Sequence, residues 1–382
     1  MVYIAVINDL VTDQRVHRVA GLLGELGLEV TCIGRRLKES PDLEGTGFRA
    51  RRYSMIFNRG PCFYACFNMR LFLTLLFASS PRLFIANDLD TLPAVYLAGR
   101  IRGVKMIYDS HEFFTQVPEL IHRRRVQSIW RWIESLIVPG LEHAVTVSYS
   151  IATIYRRLYG TRFRVVRNVP NRRAQTGKSE GTGESGPRAR ENPCPGRAMI
   201  LYQGALNVGR GLEMMIEAMQ HLDNACLVLA GTGDIEKDLK QKVTRLGLAD
   251  RVIFMGRMTP GDLLPLTCSA DLGISLEEDL GLNYRYALPN KLFNYIQCRI
   301  PVLCSDLPEM KKIVESYGIG VVVRDRNPER VAKTIRYMLA ERAAGAWKEA
   351  LNRAADELCW ENEVKEYTTL LRDCGITETE II

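Results

Sequence analysis

No stretch of the sequence is long and apolar enough to cross a bilayer. The most hydrophobic run, Cys62 to Ser79, is broken by Asn68 and Arg70 and falls short of the ~20 clean residues a spanning helix requires. The basic-then-apolar opening of a secretory leader is also missing, since Met1 runs straight into the strand-like VYIAVIN, and no signal peptide is expected. Cys62 and Cys66 stand four apart, but no second Cys or His pair follows at ligand distance, so no zinc site is expected. The ten cysteines show no spacing that demands a disulfide framework. Several lie inside apolar runs, where a thiol acts as a small core residue, and a reducing cytosol is expected from this usage. No nucleic-acid-binding motif occurs, and the two halves of the chain do not align as a repeat.

What is present describes an ordinary globular protein with more than one core. The 382 residues are 47% hydrophobic and 25% charged, a length that implies two or three domains. Net charge is +7, which favours acidic partners: nucleotide diphosphates, nucleic acid or an anionic membrane surface.

Short β-branched runs alternate with amphipathic segments throughout. Strands are expected at 2–8, 28–34, 82–87, 104–109, 143–147 and 163–167, then at 198–204, 225–230, 251–255, 271–276, 300–304 and 319–323. Helical spacing covers 14–26, 126–140, 212–222, 234–246 and 328–342. Continuous apolar strands between helices predict parallel sheets buried on both faces. Residues 171–197, rich in Gly, Ser, Pro and charge, read as a flexible linker or disordered insertion. The expected plan is an α/β domain over 1–170, the linker, a second α/β domain over 198–356, and a final amphipathic helix and tail over 357–382. Doubly wound sheets bind ligands beyond the carboxyl ends of their strands, so the site is expected in a cleft between the two domains.

In the second half, strand 198–203 runs into Gly204-Ala205-Leu206-Asn207-Val208-Gly209-Arg210-Gly211 before a helix near Leu212. Glycines at such a turn let backbone approach a phosphate, and Arg210 adds a positive charge; equally, they can serve turning alone. Leu288-Pro289-Asn290-Lys291-Leu292-Phe293-Asn294-Tyr295 places Pro289 at a first helical position, with Asn290 and Lys291 in the first turn. A cation there is unfavourable unless an anion visits. Otherwise Lys291 is a solvated first-turn residue. Asn294 shares its helix face.

In the first half, Asn8 to Arg15 follows the first strand as a polar loop. Asp13 serves either as an N-cap or, with Asp9 and Arg15, in a loop that points into the expected cleft. Asn87-Asp88-Leu89-Asp90 looks like a metal-dependent Asp-x-Asp, or a strand-end loop in which Asp90 caps the next helix. Asp109-Ser110-His111-Glu112 ends the strand VKMIYDS, and a histidine between carboxylates at a parallel strand's end lies where ligands bind. The remaining histidines, His17, His122, His143 and His221, have no comparable context. Residues 56–80 and the Arg123-Arg124-Arg125 cluster near Trp130 and Trp132 mix aromatic and basic side chains; they suit either a core helix with solvated charges or a membrane surface.

The second half resembles the donor domain of glycosyltransferase family 4, a retaining group with the GT-B fold of two Rossmann-like domains. The resemblance rests on an ordered series: YQGALNVGRGLE, LVLAGTGDIEKDL, VIFMGRMTPGDLLPLTCSADLGIS and ALPNKLFNYIQCRIPVLCSD. It implies donor contacts from Gly204, Asn207, Gly209, Gly211, Gly231, Gly233, Phe254, Gly256, Arg257, Met258, Pro289, Asn290 and Asn294. It implies diphosphate stabilisation by Arg210 and Lys291, and a sugar-lining His111 with acceptor-side Asp9, Asp13, Arg15, Asp88, Asp90 and Glu112. Two departures stand out. Ala205 replaces the family's usual Arg, and Tyr286 and Asn294 replace a glutamate pair, which leaves ribose anchoring to Asn294 or to nearby Glu277 or Glu278. The implied reaction moves a sugar from a nucleotide-diphosphate sugar, UDP favoured, to a sugar or lipid-linked sugar acceptor in polysaccharide or glycolipid synthesis. No metal and no cofactor beyond the donor is expected, nor is a nucleic-acid partner. The expected location is cytoplasmic, with the inner membrane face as a candidate surface. A 2-epimerase on the same fold and a non-catalytic partner subunit are the alternative readings.

Overall fold

The computed structural model describes residues 1–11, 13–37, 40–43, 45–121, 123–173 and 193–376, apart from the side chains of Pro118 and Glu119. Residues 174–192 of the expected linker, residues 377–382 of the expected tail, and His122 lie outside the described residues. Two compact units emerge: residues 1–168 with 363–382, and residues 169–362.

The first unit is built on seven parallel strands: β1 (Val2–Asp9), β2 (Val30–Arg36), β3 (Arg49–Ser54), β4 (Leu83–Asn87), β5 (Lys105–Ser110), β6 (Ala144–Thr146) and β7 (Arg164–Val165). Their order is β3-β2-β1-β4-β5-β6-β7. The helices are α1 (Gln14–Glu25), α2 (Gly60–Leu76), α3 (Leu92–Arg102), α4 (Pro118–Ile121), α5 (Arg124–Ile137) and α6 (Tyr149–Tyr159). Every residue of β4 is buried, which explains its unbroken apolar run. Strand β3 was not expected. Its sequence, RARRYS, buries only Tyr53, because an edge strand can be held by backbone bonds to β2 without an apolar face.

The second unit has six parallel strands: β8 (Ala198–Gln203), β9 (Ala225–Ala230), β10 (Val252–Gly256), β11 (Leu272–Ser275), β12 (Val302–Ser305) and β13 (Gly320–Val323), ordered β10-β9-β8-β11-β12-β13. Its helices are α7 (Leu212–Ala218), α8 (Glu236–Arg245), α9 (Pro260–Ser269), α10 (Leu282–Arg285), α11 (Asn290–Gln297), α12 (Pro308–Tyr317), α13 (Pro328–Ala343) and α14 (Lys348–Glu357). Helix α7 packs Leu212, Met215 and Ile216 into a core shared with Leu227, Leu229 and Ile274. The last helix, α15 (Trp360–Asp373), belongs to the first unit from Glu363 onward. Arg167 Nε donates to Glu363 Oε1 at 2.8 Å, and Arg164 donates to Glu366 and Asp373 at 2.6 Å each.

In both sheets the winding reverses beside the first strand, between β1 and β4 and between β8 and β11. At such switch points the loops on either side diverge and leave a crevice at the carboxyl edge.

The cysteine expectation needs correction. Disulfides join Cys194 to Cys226 and Cys268 to Cys298. Each pair is brought together by tertiary packing across 32 and 30 residues of sequence, a distance over which spacing carries no signal.

Candidate active site

At the switch point of the second sheet, the segment leaving β11 turns Glu277 inward until it is 1% exposed. Its Oε1 accepts a 2.7 Å hydrogen bond from Lys291 Nζ in the first turn of α11, and Arg210 Nη1 from the β8–α7 loop lies 3.6 Å from the same oxygen. Ser275 Oγ donates to Oε2 at 2.8 Å. Burial would raise the Glu277 pKa, but Lys291 and then Arg210 hold it below the ordinary carboxylate value. Aromatic faces back both cations: Lys291 Nζ lies 4.0 Å from the Tyr202 ring centre and the Arg210 guanidinium 4.7 Å from that of Tyr284.

This arrangement revises three expectations. Lys291 is not a solvated first-turn residue, because it is buried and paired with Glu277, fourteen residues earlier. Glu277 is locked in that pair and is not free to anchor a ribose. Pro289 stands at the N-cap, with extended ψ of 135°, and α11 begins at Asn290, so Pro289 is one place earlier than expected.

The glycines owe their positions first to the protein's own backbone. A β-carbon at Gly231 would collide with the Gly204 carbonyl oxygen, one at Gly211 with that of Leu276, and one at Gly233 with that of Leu206. Gly204, Gly209 and Gly211 have φ of 134°, 79° and 71°, which a side chain disfavours. Asn207 Oδ1 accepts from Asp234 N at 3.2 Å and ties the first loop to the one after β9. Gly204, Asn207, Gly209, Arg210, Gly211, Gly231, Gly233 and Lys291 thus converge on one edge. Phe254 and Gly256 end β10, two strands from β8, with Arg257 exposed and Met258 half-buried just beyond. Lys240 Nζ sits 5.3 Å from the Phe254 ring centre. Asn290 is exposed and Asn294 half-buried on α11.

The first unit holds a second charged cluster at its own switch point. Arg15 is 1% exposed, donates to Asp109 through Nε at 2.9 Å and Nη2 at 2.8 Å, and bonds the Val166 carbonyl through Nη1 at 2.9 Å. This corrects the acceptor-side assignment of Arg15: all three contacts face inward. Asp13 caps α1 by accepting from Val16 N. Asp9 accepts from Val11 N at 3.1 Å and from Ser40 Oγ.

His111 lies between two carboxylates. Its Nδ1 is 3.5 Å from Asp88 Oδ2, its Nε2 is 3.6 Å from Asp109 Oδ1, and its backbone N donates to Asp88 Oδ1 at 2.8 Å. Burial would lower the His111 pKa, but Asp88 and Asp109 outweigh it and raise the value to about 9. For Asp109, burial pulls upward while Arg15 and His111 bring it down to about 2. Asp88 takes a left-handed φ of 59°, a strained conformation for a non-glycine residue that turns its carboxylate onto the His111 backbone.

Asp90 does not cap α3. The N-cap is Thr91, which forms no side-chain cap bond. Asp90 is instead 6% exposed, and its Oδ1 has no hydrogen-bond partner among the described residues. Burial first, then Asp88 and Glu112, push its pKa well above the usual carboxylate range. Glu112 is half-buried beside His111. The sequence carried no sign of the Glu277–Lys291 or Arg15–Asp109 pairs, since the partners lie on different segments of the fold.

Known proteins match this chain in both halves. The family model for glycosyltransferase family 4 matches residues 13–171, and that for glycosyl transferases group 1 matches residues 188–356. An uncharacterized glycosyltransferase of Methanocaldococcus jannaschii is 28% identical over 177 residues, 44% of this chain and 43% of the relative. The chitobiosyldiphosphodolichol beta-mannosyltransferase of Debaryomyces hansenii is 26% identical over 123 residues, 29% of this chain and 25% of that protein. The alignments therefore span less than half the length of these curated relatives. Among solved structures, sucrose-phosphate synthase of Thermosynechococcus elongatus superposes with TM-score 0.77 at 16% identity, covering 97% of this chain and 98% of that one. HepE of Anabaena in complex with UDP-glucose gives 0.72 at 14%, covering 98% and 99%. WaaG, a glycosyltransferase involved in lipopolysaccharide biosynthesis, gives 0.69 at 17%, covering 95% and 98%. The two sheets have the GT-B architecture of these neighbours, and the two family models together match most of the chain. The chain belongs to the group 1 glycosyltransferases of family 4.

Proposed function

We propose that the protein transfers a sugar from UDP-sugar to an acceptor hydroxyl with retention of anomeric configuration, in the synthesis of a cell-envelope polysaccharide or glycolipid. The observation that carries this reading is the pairing of Arg210 and Lys291 about one buried carboxylate at the switch point of the second sheet. Residues 198–356 are the donor side in this reading. Two fixed cations there stabilise the diphosphate as the sugar–oxygen bond breaks, the role a metal plays elsewhere, so no metal and no cofactor beyond the donor is invoked. Asn290, Asn294, Phe254 and the residues to Met258 supply the remaining donor contacts. His111, with Asp88, the buried Asp90 and Glu112, offers hydrogen-bonding groups to sugar and acceptor hydroxyls on the acceptor side, residues 1–170.

The UDP-glucose-bound state of the neighbour HepE supports the choice of base, and the involvement of WaaG in lipopolysaccharide biosynthesis supports an envelope product. A peripheral membrane contact on the cytoplasmic face belongs to the same reading. Helix α2 buries Phe63, Phe67, Leu71 and Leu75, while Met69 and Leu73 on it and Phe77 just after it remain exposed. Exposed Arg123, Arg124 and Arg125 precede the exposed Trp132 on α5. Among the described residues no helix is long and apolar enough to cross a membrane, so the contact is interfacial.

A thermal-shift panel of UDP, GDP, ADP and their sugars tests the donor assignment, because a ligand that binds the folded state raises its melting temperature. UDP and one or more UDP-sugars should raise it; a panel without any shift rejects the reading. Sedimentation with anionic liposomes at low salt tests the membrane contact, and protein left wholly in the supernatant rejects it.

A further inference from the structure

Glu277 contacts both cations that the proposed function assigns to the donor diphosphate. Its two oxygens are both engaged, Oε1 by Lys291 at 2.7 Å with Arg210 at 3.6 Å, and Oε2 by Ser275 at 2.8 Å. The carboxylate is therefore held in one orientation, and it fixes the two cationic heads relative to each other. It also changes what they offer an anion. Two positive groups with one negative group between them present a net single positive charge, where the cations alone would present two.

We infer that Glu277 is a positioning residue that holds Lys291 and Arg210 in place and, by keeping a negative charge beside them, limits how tightly the site retains a nucleoside diphosphate. The inference rests on the assignment of Arg210 and Lys291 to that diphosphate. The diphosphate is also the leaving group, and an enzyme that grips it too strongly is slowed at product release. A like charge a few ångströms from a bound anion in a partly desolvated site weakens binding by roughly tenfold or more. Burial keeps Glu277 out of reach of solvent screening, since it is 1% exposed.

The conservative change Glu277→Gln keeps the shape of the side chain and an acceptor for Lys291 but removes the charge. Calorimetry of the full chain with UDP and with uridine, which lacks phosphate, separates electrostatics from misfolding. The variant should bind UDP about tenfold more tightly and uridine as the wild type does, and Glu277→Asp should stay near wild type for both. UDP affinity that is unchanged or weaker, with uridine unaffected, overturns the inference. Should Glu277→Gln fail to fold, Lys291→Gln is compared with the neutral pair Lys291→Gln/Glu277→Gln. The double variant should regain several-fold of the UDP affinity lost in the single one, and no gain overturns the inference. A wild type without affinity for UDP would reject the proposed donor itself, a result distinct from either outcome.

Discussion

Replacing Arg15 by Met tests whether this residue is a structural ion-pair partner or a ligand contact. In the folded protein its guanidinium makes a forked contact with Asp109 and a further bond to the Val166 carbonyl, all within a buried site. Methionine fills similar volume but leaves Asp109, 0% exposed, with His111 at 3.6 Å as its remaining cationic neighbour. Removing one member of a buried pair costs about 3–5 kcal/mol, because the other charge is left desolvated. Arg15→Lys should cost less but still more than about 1 kcal/mol, since an ammonium cannot reproduce the fork and the carbonyl bond together. Asp109→Asn in the Arg15→Met background should recover part of the loss by removing the stranded charge. Hydrogen exchange followed by mass spectrometry over a urea series reads this directly. Peptides spanning 105–112 should lose protection, while those of β8 and β9 in the other unit serve as the internal reference. Loss of less than about 1 kcal/mol in Arg15→Met would refute the structural assignment of Arg15.

Other outcomes follow from the same contacts. Lys291→Ala should lower glycosyl transfer at least ~100-fold, the scale of losing a principal transition-state charge contact, and near-normal turnover with any active UDP-sugar would contradict it. Because the folded-state pKa of His111, about 9, lies above its unfolded value, its stabilising contribution is complete below about pH 6.5 and disappears as pH rises toward 9. The first unit should therefore lose up to about 3 kcal/mol relative to a His111→Gln control over that interval, measured by urea unfolding at stepped pH. Reducing the two disulfides, which close spans of 32 and 30 residues, should destabilise the second unit by about 3–4 kcal/mol per bridge. Calorimetric scans with and without a dithiol, paired with a thiol count, check this; an unchanged second-unit transition after full reduction would argue against it.

The alternation of apolar runs and amphipathic segments determined the architecture, because strands covered on both faces must be apolar throughout and helices must bury one stripe. That is why β1, β4, β8 and β9 could be read from sequence, and why β3 could not: an edge strand of arginines is held by backbone bonds that leave no trace in side-chain pattern. The glycines after β8 and the Pro-Asn-Lys turn before α11 were likewise visible as local features. What those residues touch was decided only in three dimensions. Glu277 reaches Lys291, and Arg15 reaches Asp109 across 94 positions, because parallel strands return every loop to the same sheet edge. The disulfides and the raised pKa of Asp90 arose in the same way, from neighbours that packing supplied. Local sequence specifies which elements form and where their polar loops fall; the charge state and partners of a buried group depend on what the rest of the chain places beside it.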